Sequence, residues 1–238
     1  MQPLVQVMHL HTKPKIIEMK ARNILLALCL PFVLGSCLEI TEQVHLNKDN
    51  SGQFTFSIDL HESEPFIKFM SGLGSKDDLE EEFDMDMDKA LDRLKNVKGI
   101  NNVLLIQSDD ELLQGITFSF RDISALNRGI NAIHDDEKDE TYFSLRGNTL
   151  HRYNTLDSEV EDEIDDQDLD LDITLNGKSF KGMLKSMAYH TEIILDKPVK
   201  RVSNSDAKIS NDGKKVSLTH YFLDEQRGAR SLENSIEL

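Results

Sequence analysis

Apolar and polar residues alternate along several short stretches of the chain, and this two-residue period is typical of β-strands with one buried face. Two such stretches come early, and their apolar positions are Leu38, Ile40, Val44, Leu46, Phe54, Phe56, Ile58 and Leu60. Residues 47–52 between them are rich in turn formers. The pattern therefore predicts a β-hairpin with a longer loop.

Other stretches have apolar residues at helical spacing, with capping residues at their ends. A helix is predicted over 63–73, where Ser63 is the N-cap. A second is predicted over 87–97, before Gly99, and a third over 122–133, with Asp122 as its N-cap. Residues 181–187 could form a short fourth helix.

Further strands are predicted over 103–106, 112–120, 141–145, 149–153, 189–195, 207–209, 215–223 and 235–238. Strand pairs separated by helices indicate an α+β fold. We expect an antiparallel or mixed β-sheet built from hairpins, with several packed helices. The stretch 157–172 has no Lys or Arg among its many acidic residues, which predicts a flexible acidic loop around residues 155–172.

The N-terminal region has the order of a bacterial lipoprotein signal peptide. Lys20 and Arg22 precede an apolar run over 24–34, which is too short to span a bilayer as a helix. Small residues then lead to a cysteine, in the order Val-Leu-Gly-Ser-Cys. We expect signal cleavage between Ser36 and Cys37 and lipidation of Cys37, which would anchor the chain to a membrane.

These features divide the chain into two parts. Residues 1–36 are interpreted as an N-terminal extension and a lipoprotein signal peptide whose start is Met19, because a long mixed segment precedes the basic residues. Residues 37–238 are interpreted as a single α+β envelope domain. The alternative is a cytosolic protein with an apolar N-terminal helix.

Charge and cysteine content narrow the function classes. The formal net charge is −16, and the first 36 residues are net basic, so the rest is more acidic still. Such a surface argues against nucleic acid as a partner and against direct adsorption to anionic lipid. One of the two cysteines, Cys29, would leave with the signal peptide, and the other, Cys37, would carry the lipid. The mature domain would then have no disulfide and no catalytic thiol.

One stretch resembles a calcium loop. Asn47, Asp49 and Ser51 occupy alternate positions, and Gly52 is the sixth residue of such a loop. Ile58, however, stands where a bidentate glutamate is needed. A polar hairpin turn explains the same residues.

Enzyme motifs are incomplete along the chain. The pair His61-Glu62 is not followed by the second histidine of a zinc-protease helix, because Pro65 stands in its place. No Gly-x-Ser-x-Gly sequence occurs, and the histidines after Cys37 are scattered. We expect no catalytic residue, no metal site and no cofactor. The protein is thus predicted not to be an enzyme.

Two parts of the chain resemble uncharacterised bacterial envelope lipoproteins. The first is 37–52, in which a cysteine opens a strand–turn–strand unit, with Asn50 where glycine is frequent. The second comprises 189–195, 198–204 and 212–216 near the C-terminus. The layout is similar to the LppM-type lipoprotein domain, which implies an α/β fold held at the cell envelope. The resemblance brings no catalytic residues.

These features together predict a lipid-anchored cell-envelope lipoprotein with a non-catalytic binding or structural role. The expected location is the outer membrane facing the periplasm, because Leu38 stands where some bacteria place an inner-membrane retention aspartate. An envelope protein partner is compatible with this role. The alternative is a carrier of a small apolar or lipid ligand in a pocket between helices and sheet, which the methionines Met183 and Met187 could line.

Overall fold

Thirteen β-strands and two α-helices make up the part of the chain that the computed structural model describes. Its described residues are 38–64, 87–134, 139–155, 174–175, 178–179, 185–222 and 228–238. They lie within one compact unit, Ser36–Leu238.

The secondary-structure elements are named here in chain order. The helices are α1 (Met87–Lys95) and α2 (Ile123–His134), and a 3-10 turn covers His61–Ser63. The strands are β1 (Glu39–Leu46), β2 (Gly52–Asp59), β3 (Ile100–Gln107), β4 (Leu113–Phe120), β5 (Phe143–Arg146), β6 (Thr149–Arg152), β7 (Thr174–Leu175), β8 (Lys178–Ser179), β9 (Ala188–Leu195), β10 (Arg201–Val202), β11 (Lys208–Ile209), β12 (Lys215–Tyr221) and β13 (Asn234–Glu237).

The larger sheet has seven strands in the order β11-β12-β9-β1-β2-β4-β3. Three of its strand pairs are hairpins of consecutive strands, β1–β2, β3–β4 and β11–β12, and these are antiparallel. The pairs β2–β4 and β9–β12 are antiparallel as well. Strands β1 and β9 pair in parallel at its centre, with Glu39 opposite Ala188 and Leu46 opposite Leu195. The sheet is therefore mixed, and the C-terminal half of the chain is joined to the N-terminal hairpin through its central pair.

The smaller sheet has four antiparallel strands in the order β10-β13-β6-β5, and β7 pairs separately with β8. One hydrophobic core includes buried side chains from the seven-stranded sheet, the four-stranded sheet and both helices. Among them are Val44, Phe54, Phe118, Leu94, Ile130, Phe143, Leu150 and Ile236. The two sheets thus share a core instead of forming separate domains.

Helix α2 packs closely on the larger sheet at Gly129. A Cβ atom added there would lie 2.5 Å from Cζ of Phe118, closer than carbon atoms approach one another. The helix also holds β5, because the Asn127 side-chain amide donates to the carbonyl of Phe143 and its oxygen accepts from the Phe143 N–H, each at 2.8 Å. A glycine and an asparagine on one helix therefore connect the two sheets.

The structure confirms the predicted α+β class with a mixed sheet, but the expectation of several packed helices is not matched. Two α-helices occur in the described residues, at positions close to the predicted second and third helices. Most of the helix predicted over 63–73, and 181–184 of the one predicted over 181–187, lie outside the described residues. The same holds for residues 1–37 and for the predicted acidic loop from residue 156. None of the described helices is both long and apolar enough to cross a membrane.

Candidate functional site

The predicted lipidation and cleavage residues, Cys37 and Ser36, lie immediately before the first described residue. The carbonyl of Leu38 already accepts a hydrogen bond from the N–H of Ala188 at 2.9 Å, and β1 begins at Glu39. One residue spans at most about 3.6 Å of extended chain. Only one peptide unit therefore separates Cys37 from the first residue that is hydrogen bonded to the sheet.

A buried polar cluster lies further along the same strand, between the two sheets. The Glu42 carboxylate from β1 meets the Arg152 guanidinium from β6: Nη2 of Arg152 lies 3.0 Å from Oε2 of Glu42, and Nε lies 3.3 Å from Oε1. The hydroxyl of Tyr189, from β9, donates to Oε2 of Glu42 at 3.2 Å. We call Glu42, Arg152 and Tyr189 the inter-sheet cluster.

Burial dominates the electrostatics of the inter-sheet cluster. Burial raises the pKa of Tyr189 well above its usual value, and the adjacent Glu42 carboxylate raises it further because it opposes a second negative charge. Burial lowers the pKa of Arg152, but the charge and hydrogen bonds of Glu42 raise it by more, so the pKa of Arg152 lies above its usual value. The phenol is therefore held neutral and the guanidinium is held charged.

Arg152 makes one further hydrogen bond outside the cluster. Nη1 of Arg152 donates to the carbonyl of Tyr153. Among the described residues, every buried side-chain nitrogen or oxygen atom has a hydrogen-bond partner. The cluster consequently links three strands from two sheets, and each of its buried polar atoms has a partner within the protein.

Sequence reasoning missed the inter-sheet cluster, although a signal for it was present. Glu42 shares its parity along β1 with Ile40 and Val44, so a charged residue stands on the face expected to be buried. Arg152 likewise shares its parity with the buried Leu150 on β6. A charge at a core-facing position predicts a buried counter-charge. The pattern could not identify which residue supplies it.

The turn that resembled a calcium loop is held by its own hydrogen bonds. Oδ1 of Asp49 accepts from the backbone N–H of Ser51 at 3.1 Å and from its hydroxyl at 2.6 Å. Asn50 adopts a φ of 67°, in the left-handed region that asparagine tolerates. This geometry is that of the polar hairpin turn that the sequence offered as the second explanation.

The described histidines have separate environments. His61 is bridged by two carboxylates, with Nδ1 2.6 Å from Asp59 and Nε2 3.3 Å from Asp110, and its hydrogen bond to Asp59 is the main cause that raises its pKa. His190 contacts the hydroxyl of Thr219, and His220 contacts the carbonyl of Ala229. Within the described ranges, no three His, Cys, Asp or Glu side chains are grouped so that they could hold a metal ion.

These features define an α+β domain with a mixed seven-stranded sheet and a polar cluster that joins it to a second sheet. No family model matches the chain, and no curated protein matches it. The folded domain of Mycobacterium tuberculosis LppM, solved by NMR, is similar to it with a TM-score of 0.42 and 12% sequence identity, over 85% of this chain and 89% of that one. The expected resemblance to the LppM-type domain is confirmed as a distant similarity of fold, and it assigns no role to any residue.

Proposed function

We propose that the protein is a lipid-anchored lipoprotein of the bacterial cell envelope with a non-catalytic binding or structural role. The observation that carries this proposal is the order of residues before β1: two basic residues, an apolar run over 24–34, and small residues before Cys37. A signal peptidase requires small residues at its cleavage site, and lipid transfer requires the cysteine thiol. Each feature stands at the position that this processing needs.

The start of the fold supports the same proposal. Leu38 is already hydrogen bonded to β9, so hardly any spacer separates Cys37 from the sheet. A domain on such a short tether acts at the membrane surface, whereas a long linker would let it reach distant partners. The net charge of −16 opposes adsorption to anionic lipid, so the attachment would come from the acyl chains.

The finer parts of the proposal concern the anchor and its membrane. One acyl chain binds a membrane only marginally, so we expect two or three chains, including palmitate, on Cys37. The residue after Cys37 is Leu38, not an aspartate, which favours the outer membrane with the domain facing the periplasm. An envelope protein partner would then meet the domain at that surface.

Metabolic labelling tests the anchor. The full chain is expressed in a bacterial host with an alkyne-bearing palmitate, beside Cys37→Ser and Cys29→Ser. Cys29 lies within the apolar run, so Cys29→Ser is the matched control and should keep both label and membrane retention. We expect Cys37→Ser to lose the label. Density-gradient separation of inner and outer membranes then locates the wild type.

Mass spectrometry of the mature N-terminus gives the second readout. The expected first residue is an acylated Cys37. A wild-type chain that is unlabelled and begins elsewhere would overturn the lipoprotein proposal, together with the location derived from it. Equal labelling of Cys37→Ser and wild type would mean that the lipid is attached at another residue.

A further inference from the structure

One histidine is held between two carboxylates at the end of the seven-stranded sheet. Nδ1 of His61 lies 2.6 Å from Oδ1 of Asp59, and Nε2 lies 3.3 Å from Oδ2 of Asp110. Asp59 is the last residue of β2, whereas Asp110 belongs to the turn 108–112 between β3 and β4. The imidazole therefore connects two separate segments of the chain.

This geometry fits the doubly protonated form of the ring. A carboxylate accepts hydrogen bonds and cannot donate them. A neutral imidazole has one N–H donor, so one of its two nitrogens would direct a lone pair at a carboxylate oxygen. Both nitrogens of an imidazolium are donors, and its positive charge faces a negative charge on each side. Both contacts of His61 are favourable together only when the ring carries two protons.

Backbone hydrogen bonds place the imidazole between its two partners. The N–H of Leu60 donates to the carbonyl of Leu112 at 2.7 Å, which fixes the chain before His61 beside the turn. The N–H of His61 donates to Oδ1 of Asp59 at 2.9 Å, the same oxygen that Nδ1 contacts. The ring is therefore held in position by the local fold of the chain.

The turn is built around the carboxylate of Asp110. Its Oδ1 accepts from the hydroxyl of Ser108 and from the N–H of Leu112, while Oδ2 faces the imidazole. The hydroxyl of Ser108 also accepts the N–H of Leu113 at 3.0 Å. The hydrogen bond from Ser108 is the largest cause that lowers the pKa of Asp110, so this carboxylate is charged at neutral pH. The position of Asp110 thus depends both on the turn and on the histidine.

The charged groups on the segments that meet at the ring are acidic. They are Glu39, Asp59, Glu62, Glu64, Asp109, Asp110 and Glu111, and these described segments carry no Lys or Arg. The hydrogen bond to Asp59 is the largest cause that raises the pKa of His61. Desolvation opposes it, and the charges of Asp59 and Asp110 raise the pKa further. Protonation is therefore easier here than in a free histidine.

We propose that His61 is a pH-sensitive clasp that holds the turn 108–112 against the end of β2. In its doubly protonated form the ring bridges Asp59 and Asp110. When the ring loses a proton, one of the two contacts becomes a repulsion between lone pairs, and the turn is released. The backbone hydrogen bond between Leu60 and Leu112 is independent of this proton. The change is therefore confined to the turn and does not unfold the sheet.

The direction of the pH dependence follows from the raised pKa of His61. While both aspartates are charged, the clasp is fully present below about pH 6.5, the ordinary pKa of histidine. It is lost as the pH rises through the higher pKa of the folded state. The His61 side chain is 45% exposed, and exposed ion pairs contribute little to the stability of a whole domain. We therefore expect a local change in the order of the turn.

The position of the clasp relates it to the membrane, and this consequence rests on the proposed lipid anchor. Asp59 stands opposite Glu39 on β1, and Glu39 follows Leu38. The clasp thus lies at the end of the sheet where the chain enters from Cys37. A turn that is ordered at lower pH and mobile at higher pH would alter the surface of the domain near the membrane. The clasp itself does not require the anchor.

NMR spectroscopy tests the clasp in the full chain carrying Cys29→Ser and Cys37→Ser, which makes the result independent of lipidation. The ring of His61 is followed during a pH titration and is assigned by comparison with His61→Ala. We expect its midpoint to lie above about pH 6.5. Asp59→Asn should lower the midpoint most, and Asp110→Asn should lower it as well, because each removes a carboxylate that faces the ring.

Asp109→Asn is the matched control. Asp109 is an exposed neighbour of Asp110 in the same turn, but the ring contacts Asp59 and Asp110. The control removes one negative charge from the turn without removing a contact, so the midpoint should fall less than in Asp110→Asn. Equal midpoints in the two variants would overturn the proposal, because the general negative charge of the turn would then explain the protonation of His61.

The backbone order of the turn gives the second readout. Order parameters from ¹⁵N relaxation are near about 0.85 for rigid backbone and below about 0.6 for flexible backbone. We expect the amide of Asp110 to be rigid below the midpoint of the His61 titration and flexible above it. In His61→Ala it should be flexible at both pH values. Circular dichroism of this variant should be unchanged, because the substituted side chain is partly exposed.

Two further results would contradict the clasp. One is a His61 midpoint that is the same in the wild-type ring environment and in Asp110→Asn. The other is an Asp110 order parameter that does not change across the midpoint. Neither result bears on the lipid anchor, since the chain tested carries no lipid. Loss of the anchor proposal in the labelling experiment would likewise leave the clasp unaffected.

Discussion

Arg152 and Glu42 form an ion pair between the two sheets, with Nη2 3.0 Å from Oε2 and side chains that are 1% and 2% exposed. The two residues are 110 positions apart in the chain. Removing two charges from water costs free energy that their attraction largely offsets, so a buried pair adds little net stability. Removing one partner of the pair costs much more stability, because the other charge is then left buried without a counter-charge.

Replacing Arg152 alone should therefore destabilise the fold strongly. Arg152→Met keeps much of the side-chain volume but leaves the Glu42 carboxylate unpaired. We expect the free energy of unfolding to fall by about 3–5 kcal/mol. Urea denaturation followed by circular dichroism measures it. The double variant Glu42→Met/Arg152→Met should recover part of the loss, because it removes both charges.

Arg201→Met is the matched control for this prediction. Arg201 also faces a glutamate, with 3.5 Å between its Nη2 and Oε2 of Glu237, but its side chain is 82% exposed. Exposed ion pairs contribute about 0–1 kcal/mol. If Arg152→Met and Arg201→Met lowered the free energy of unfolding equally, burial of the Glu42–Arg152 pair would not explain the loss of stability.

The phenol of Tyr189 should make stability depend on pH at the alkaline end. Burial, and then the Glu42 carboxylate, raise the pKa of Tyr189, so the folded state holds the phenolic proton more tightly than the unfolded chain does. The associated stabilisation is fully present below about pH 10, the ordinary pKa of tyrosine, and is lost as the pH rises above it. Tyr189→Phe should remove this contribution to the pH dependence.

Absorbance at 295 nm during alkaline titration measures tyrosinate directly. In the wild type, the ionisation of Tyr189 should coincide with unfolding, and Tyr189→Phe should lose that component of the titration. The variant should also lose about 1–3 kcal/mol at pH 7, because Oε2 of Glu42 loses a buried hydrogen bond. A wild-type titration in which all tyrosines ionise before unfolding would contradict the prediction.

Gly129→Ala separates helix propensity from packing. Alanine is favoured over glycine by about 1 kcal/mol in an exposed helix interior. Gly129 is buried, however, and a Cβ there would lie 2.5 Å from Cζ of Phe118. We expect a net loss of about 1–3 kcal/mol from overpacking. Ser124→Ala, at an exposed position of the same helix, should stay within about 0.5 kcal/mol of wild type.

Asp122 should act as the N-cap of α2. Its Oδ1 accepts the backbone N–H of Ala125 at 2.8 Å. That hydrogen bond is the largest cause that lowers the pKa of Asp122, and a hydrogen bond from Arg121 is the next. The stabilisation from the charged cap is therefore fully present above about pH 4 and is lost as the pH falls through the lowered pKa. Asp122→Ala should cost about 0.5–2 kcal/mol at pH 7. Asp122→Asn keeps an oxygen acceptor, so it should retain most of the stability and lose the pH dependence.

Local patterns predicted much of the secondary structure. The alternation that begins at Ile40 and the helical spacing after Asp122 both correspond to observed elements, because burial of one face imposes its period on the sequence. The helix after Met87 ends near Gly99, whose φ of 91° favours glycine. The expected number of helices was wrong for the described residues, where two occur.

The sequence by itself determined the strand and helix periods, the acidic surface, and the residue order that predicts lipidation of Cys37, because each depends on residues close together in the chain. Tertiary structure decided the parallel pairing of β1 with β9, the second sheet and the meeting of Glu42 with Arg152. The physical reason is that most of these contacts join segments far apart in the chain, by 110 residues for Glu42 and Arg152, and many arrangements satisfy the same local pattern. Packing of the whole core, including the cost of burying an unpaired charge, selects one of them.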